Sequence, residues 1–221
     1  MQPQQFVPTE PTARRMPRRV VVAVLASSVL VLGACSSDNE GDSGSDKTTT
    51  SRDVSGGGEE QTFAGVLAPA AEAAGAFTYG PAAPSGAELS ATVTPGDSET
   101  AFELEVTGLE PDRGYAVHAH VDPCGPTGED AGPHFQNEED PAATPAAPSS
   151  DPEYANAENE VWLDLETDAD GAGTSESTVP WAVADRAPMS IVIHENMATM
   201  TAEGMAGMAG DRVACLDAPI Q

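Results

Sequence analysis

Basic residues are scarce in this chain: nine lysines and arginines face 36 aspartates and glutamates, a formal net charge of −27 over 221 residues. A surface of that sign disfavours nucleic acid and anionic lipid head groups, so neither is expected as a partner. Cysteine is scarcer still, with three, and there are only four histidines. Beyond the first 34 residues no long segment repeats its apolar positions every 3.6 residues, so helix should be scarce. At this length one domain plus appended segments is the default organisation.

Residues 1–34 read as a targeting peptide. Arg14, Arg15, Arg18 and Arg19 form a basic leader, and Val20 to Leu32 is an apolar run too short to span a bilayer comfortably. The run closes on Leu32-Gly33-Ala34-Cys35, which resembles a bacterial lipobox with Cys35 as the lipidated residue; a plain cleaved signal peptide is the alternative. Processing there would remove four of the nine basic residues and only Glu10 of the 36 acids, leaving −30 with the histidines neutral. Membrane attachment would then come from the lipid alone. The expected location is extracytoplasmic, anchored at the cell membrane. Cys124 and Cys215 remain as an even pair in a compartment that permits disulfides, which suggests one bridge.

Residues 35–61 are Ser, Asp, Thr and Gly with few apolar side chains, a composition that cannot offset the entropy of ordering, and they read as a disordered tether. From residue 62 to 221 the pattern is that of a β domain. Ala101 to Val106 alternates apolar residues with glutamates, and Glu88–Val93 and Val161–Glu166 do so less cleanly. Turn residues separate these runs at Pro95-Gly96-Asp97, Glu110 to Gly114 and Asp168 to Gly171. Short strands at this spacing predict an all-β antiparallel sandwich or barrel. Residues 137–160 have no strand alternation and read as a long loop.

Tyr115 to Val121 alternates as a strand, so His118 and His120 share one face while Val117, Ala119 and Val121 take the other. Two imidazoles so spaced can reach one metal ion. A His-x-His pair is weak evidence alone, but the two remaining histidines have distinctive settings, Gly132-Pro133-His134-Phe135 and Ile191-Val192-Ile193-His194-Glu195.

In this order those segments, with Gly114 to Val121 and Arg212-Val213-Ala214-Cys215, resemble the copper,zinc superoxide dismutase family. The likeness runs from about residue 74 to the end. It implies a Greek-key β-barrel of about eight strands, with His118, His120, His134 and His194 as four copper ligands. It also implies a Cys124–Cys215 disulfide and an Arg212 that attracts and orients superoxide. Neutral imidazoles suit a copper ion that cycles between oxidation states, independently of the likeness. An ion pair with Asp211 is the alternative role for Arg212.

Two departures from the family stand out. Its zinc site needs two further histidines and an aspartate after the bridging histidine, yet from Phe135 to Glu160 there is no histidine. Only carboxylates stand there: Glu138, Glu139, Asp140, Asp151, Glu153, Glu158 and Glu160. Zinc is therefore not expected, and the chain looks like the copper-only branch of the family. The segment between His194 and Arg212 is short and carries Met197, Met200, Met205 and Met208 as two M-x-x-M pairs. Thioether sulfur selects Cu(I), so a soft-metal loop is one reading; adaptable cover for an apolar rim is the other. The leading expectation is an enzyme that converts superoxide to dioxygen and hydrogen peroxide. A non-enzymatic copper-buffering lipoprotein is the alternative.

Overall fold

Strict alternation builds the first sheet. In the computed structural model, which describes residues 58–144 and 146–221, β3 (Glu88–Pro95) and β4 (Thr100–Thr107) form a hairpin. Leu104 pairs with Ala91 and Phe102 with Val93 across it. Leu89, Val93, Phe102, Leu104 and Val106 enter the core, while the intervening Glu103 and Glu105 face water. β1 (Gln61–Val66) and β8 (Gly173–Val179) flank the hairpin, giving the order β1-β3-β4-β8. The segments expected to be a signal peptide, residues 1–34 with the lipobox-like Cys35, and a tether, as far as residue 57, lie outside the described residues.

The second sheet has the order β2-β10-β9-β6, from β2 (Ala76–Thr78), β6 (Val117–His120), β9 (Ser190–His194) and β10 (Arg212–Asp217). Its strands β6 and β9 are buried at every position, unlike those of the first sheet. Val117, Ala119, Ile191 and Ile193 pack into the shared core, so the opposite face carries His118, His120 and His194 and is covered by loops. A two-stranded ribbon, β5 (Gly114–Tyr115) with β7 (Leu165–Glu166), extends β6 toward the barrel end. All named pairings are antiparallel. The all-β Greek-key expectation is the fold found, with ten strands among the described residues rather than about eight because the ribbon counts separately. Among the described residues the one helical piece is a 3-10 turn at Gly128–Ala131.

One expected strand is much shorter than its pattern. Of Val161–Glu166 only Leu165 and Glu166 are strand, with an isolated bridge from Trp162 to His118. The Asp164 side chain takes the backbone N–H of Val117 at 3.1 Å, which interrupts a regular ladder here. The loop at 137–160 is held by side chains instead of strands. Asn159 accepts from Glu138 N and donates to Tyr154 O, and Trp181 Nε1 donates to Glu158 O.

A bulge in β10 decides which residues reach the loop-covered face. Arg212 and Cys215 are three apart and would lie on opposite faces of an uninterrupted strand. The pairing register with β9 shifts between Arg212 and Ala214, and Val213 and Ala214 both join the core. The inserted residue returns Cys215 to the side of Arg212, where it packs with Val192 and Ala131.

Candidate metal centre

Four histidine rings meet over the second sheet. His118 and His120 come from β6, His194 from the end of β9, and His134 from the loop after the 3-10 turn. One nitrogen from each lies within 4.8 Å of the others. A metal about 2.0–2.1 Å from each imidazole nitrogen needs separations of roughly 3 to 4 Å. His118 Nδ1 is 3.1 Å from His134 Nε2, and His120 Nε2 is 3.2 Å from His194 Nε2.

Every ring is oriented from outside by an oxygen. His118 Nε2 donates to Thr199 Oγ1 at 2.7 Å, and that hydroxyl donates onward to Asp164 Oδ1 at 2.7 Å. His120 Nδ1 donates to Gly132 O at 3.0 Å, and His194 Nδ1 to Gly210 O at 3.2 Å. His134 Nδ1 donates to Glu160 Oε2 at 3.1 Å. A neutral imidazole has one N–H, and in each ring this network spends it outward. Four lone pairs, on His118 Nδ1, His120 Nε2, His134 Nε2 and His194 Nε2, therefore converge on one point. That arrangement repels itself unless a cation lies between them, so the residues fit a metal ion.

Protons are a poor substitute for that cation. Burial, then repulsion from the neighbouring histidines, holds His118 and His120 well below the ordinary 6.5. Burial, followed by His134, takes His194 down to about 3. The unfolded chain thus binds protons below pH 6.5 that the folded chain refuses, so metal-free stability is full above 6.5 and falls as pH drops toward 3. Thermal unfolding of metal-free protein from pH 7 to 4 should show a steadily decreasing midpoint. A flat profile would contradict these buried, neutral rings.

Glu160 is the partner that sequence reading missed in its role. It is 2% exposed and accepts three hydrogen bonds: from His134 Nδ1, from Trp162 Nε1 at 2.8 Å and from Gln136 Nε2 at 2.8 Å. These three donors leave neither buried oxygen of the carboxylate without a partner. It occupies the Nδ1 side of His134, the outer nitrogen of the ring.

Arg212 makes no ion pair with Asp211 among the described residues. Its two terminal nitrogens donate to Gly128 O and Gly132 O, both at 2.5 Å. Gly132 O therefore receives both Arg212 and His120. Gly132 has φ 69°, a backbone conformation that residues with a Cβ rarely adopt, and a Cβ there would also crowd the Asp122 carboxylate, so glycine presents this carbonyl. Arg212 also lines an open cleft of about 740 Å³ with Tyr79, Thr127 and Glu129. Cys124 and Cys215 are disulfide-bonded, which ties the loop carrying both carbonyls to β10. Cys35 lies outside the described residues.

The methionines of the loop do not join the histidines. Met197, Met205 and Met208 are exposed and Met200 is half-buried. The signals for Thr199 and Asp164 were absent from the sequence, since neither stands in a motif with a histidine.

Residues 87–216 match the family model described as copper/zinc superoxide dismutase. Similar solved structures include the Cu/Zn superoxide dismutase from Brucella abortus, 18% identical with a TM-score of 0.44, covering 72% of this chain and 99% of that one. A SOD-like protein from Bacillus subtilis is 20% identical with a TM-score of 0.41, covering 57% of this chain and 87% of that one. No curated protein sequence matches the chain.

Proposed function

Because the chain belongs to the copper/zinc superoxide dismutase family, we propose that its four histidines hold copper and that it converts superoxide to dioxygen and hydrogen peroxide. The observation that carries this reading is the convergence of four lone pairs whose rings are each oriented by an outer oxygen. When bound, copper supplies one-electron chemistry, taking an electron from one superoxide and giving it to the next. Imidazole nitrogen tolerates both oxidation states, which favours copper over zinc at an all-histidine set with a redox task.

The residues of the chain supply orientation and field. Glu160 holds the proton on His134 Nδ1, and this hydrogen bond makes His134 Nε2 a stronger base. A second cation at Nδ1 would have to displace that bond, which supports a copper-only centre without zinc. Thr199 and Asp164 hold His118 with Nδ1 inward. Arg212 is the cation beside the ligand His120, and it offsets for an approaching anion the repulsion of a strongly acidic chain.

With a chelator present to silence free copper, copper-loaded protein should consume superoxide rapidly and His120→Ala, which lacks one of the four ligands, should not. Arg212→Ala is expected to lower the rate roughly tenfold at low ionic strength, with a smaller difference at high salt. Equal rates for wild type and Arg212→Ala at all salt concentrations would remove Arg212 from this role.

Burial favours a second reading. His118 and His120 are fully buried and His194 is 3% exposed, which leaves the edge of His134 as the open side of the centre. A chain that stores copper without turnover would bind one copper and consume no superoxide, and the same assay separates the two. We place the chain outside the cytoplasm, cleaved after residue 34 and anchored by a lipid on Cys35. Mass spectrometry of the membrane-extracted protein, with and without Cys35→Ser, tests that anchor.

A further inference from the structure

The methionine loop has no task in the dismutation proposed above. As cover for an apolar rim its side chains should be buried, yet only Met200 is even half-buried and the other three methionines are exposed. Among the described residues the exposed large apolar side chains are Val66, Met197 at 67%, Met205 at 37% and Met208 at 51%. Three of these four lie on one short loop beside the histidine centre.

Nor is that loop slack, despite its glycine and alanine spacers. Met200 N donates to Met208 O at 3.0 Å, Gly207 N to Met200 O at 2.9 Å, and Met208 N to Met205 O at 3.1 Å. Gly207 and Met208 thus oppose the single residue Met200, which is a β-bulge, with Gly207 supplying the positive φ of 75° that it requires. Opposed residues in an antiparallel pair have Cβ atoms roughly 5 Å apart. Two thioethers on such a pair can reach one ion, and the turn from Met205 brings a third methionine to the same end of the loop. Met197 lies outside this bulged pair, with its backbone carbonyl packed toward Gly114.

The inner side of the bulge abuts the centre. A Cβ added at Gly207 would lie 3.8 Å from Glu160 Oε2 and 3.9 Å from His134 Nδ1. The loop therefore packs beside the outer nitrogen of His134, the one ligand ring with an exposed edge. An acidic surface gathers cations of every kind. Soft thioethers discriminate, favouring Cu(I) over the harder divalent ions.

We propose that Met200, Met205 and Met208 form a Cu(I) acquisition site that delivers copper to the histidine centre past His134. The delivery half rests on the copper reading of that centre. The test uses the full chain, metal-free and anaerobic, with buffered Cu(I) alone as the probe and X-ray absorption as the readout. Wild type is expected to show sulfur neighbours early and nitrogen neighbours as the histidines fill. The combined variant Met200→Leu, Met205→Leu and Met208→Leu keeps apolar volume; it should lose the sulfur neighbours and fill the histidines about tenfold more slowly. Its final nitrogen-bound copper should match wild type, which also shows that it is folded. An unchanged sulfur signal in the variant would overturn the methionine site, and an unchanged filling rate would overturn delivery from it. Sulfur-bound Cu(I) in wild type that never gains nitrogen neighbours would overturn delivery and the copper centre together, leaving the methionine site standing.

Discussion

Glu160→Gln is expected to lower the copper affinity of the histidine centre by roughly 10- to 100-fold, the usual effect of losing an outer partner of a metal-bound histidine. Glutamine keeps the shape and one acceptor oxygen, but it removes the negative charge that pulls on the His134 Nδ1 proton. Metal-free stability should fall only modestly, because the oxygen can still serve His134 Nδ1 and Trp162 Nε1 while Gln136 Nε2 loses its acceptor. Glu160→Ala goes further, because His134 Nδ1, Trp162 Nε1 and Gln136 Nε2 all lose their acceptor. An unsatisfied donor in a covered site costs about 1–3 kcal/mol, so this variant should lose both affinity and stability. Copper competition against a chelator, together with thermal unfolding, separates the two contributions. Wild-type affinity in Glu160→Gln would mean that His134 does not depend on this carboxylate.

Cys124→Ser is expected to give the largest loss of stability. The bridge joins residues 91 apart in sequence, and in the chain-entropy account closing a loop of that size contributes about 4–5 kcal/mol. For a domain of this size that corresponds to a fall in Tm on the order of 10 °C. The consequence should extend to the centre. Cys124 N donates to Asp217 Oδ1 and Tyr79 Oη donates to Gly125 O, so bridge, strand and loop form one clamp. That loop supplies Gly128 O and Gly132 O, which hold Arg212 and His120. Weaker copper binding should therefore accompany the lower Tm, and Arg212→Ala should have a smaller effect in the Cys124→Ser background. A Tm within a few degrees of wild type would contradict the clamp.

The sequence revealed the parts of the fold that depend on local alternation. Residues 101–106 place Phe102, Leu104 and Val106 inward with Glu103 and Glu105 outward, and the His-x-His spacing set two ligands on one face. What alternation could not reveal is a change of phase. The bulge before Ala214 puts Arg212 and Cys215 on one side despite their odd spacing, and no residue type there announces it. The interruption of Val161–Glu166 has a similar origin, since Asp164 spends its carboxylate on Val117 N and Thr199.

The histidines themselves were legible because there are only four and each stands in a distinctive setting. Their outer partners were not. Gly132 and Gly210 act through carbonyl oxygens, which every residue has, and Thr199 and Asp164 are 81 and 46 residues from His118. Glu160 stood among seven carboxylates on one stretch with nothing local to single it out. Only folding brings it, 26 residues from His134, to the ring's outer nitrogen.

Electron paramagnetic resonance of the folded, disulfide-bonded full chain titrated with Cu(II) tests the four-histidine centre most directly. The expected result is one axial signal with nitrogen splitting from several imidazoles, saturating at one copper per chain and missing in His120→Ala. A signal of oxygen-bound copper that rises without saturating near one equivalent, alike in wild type and His120→Ala, would contradict it.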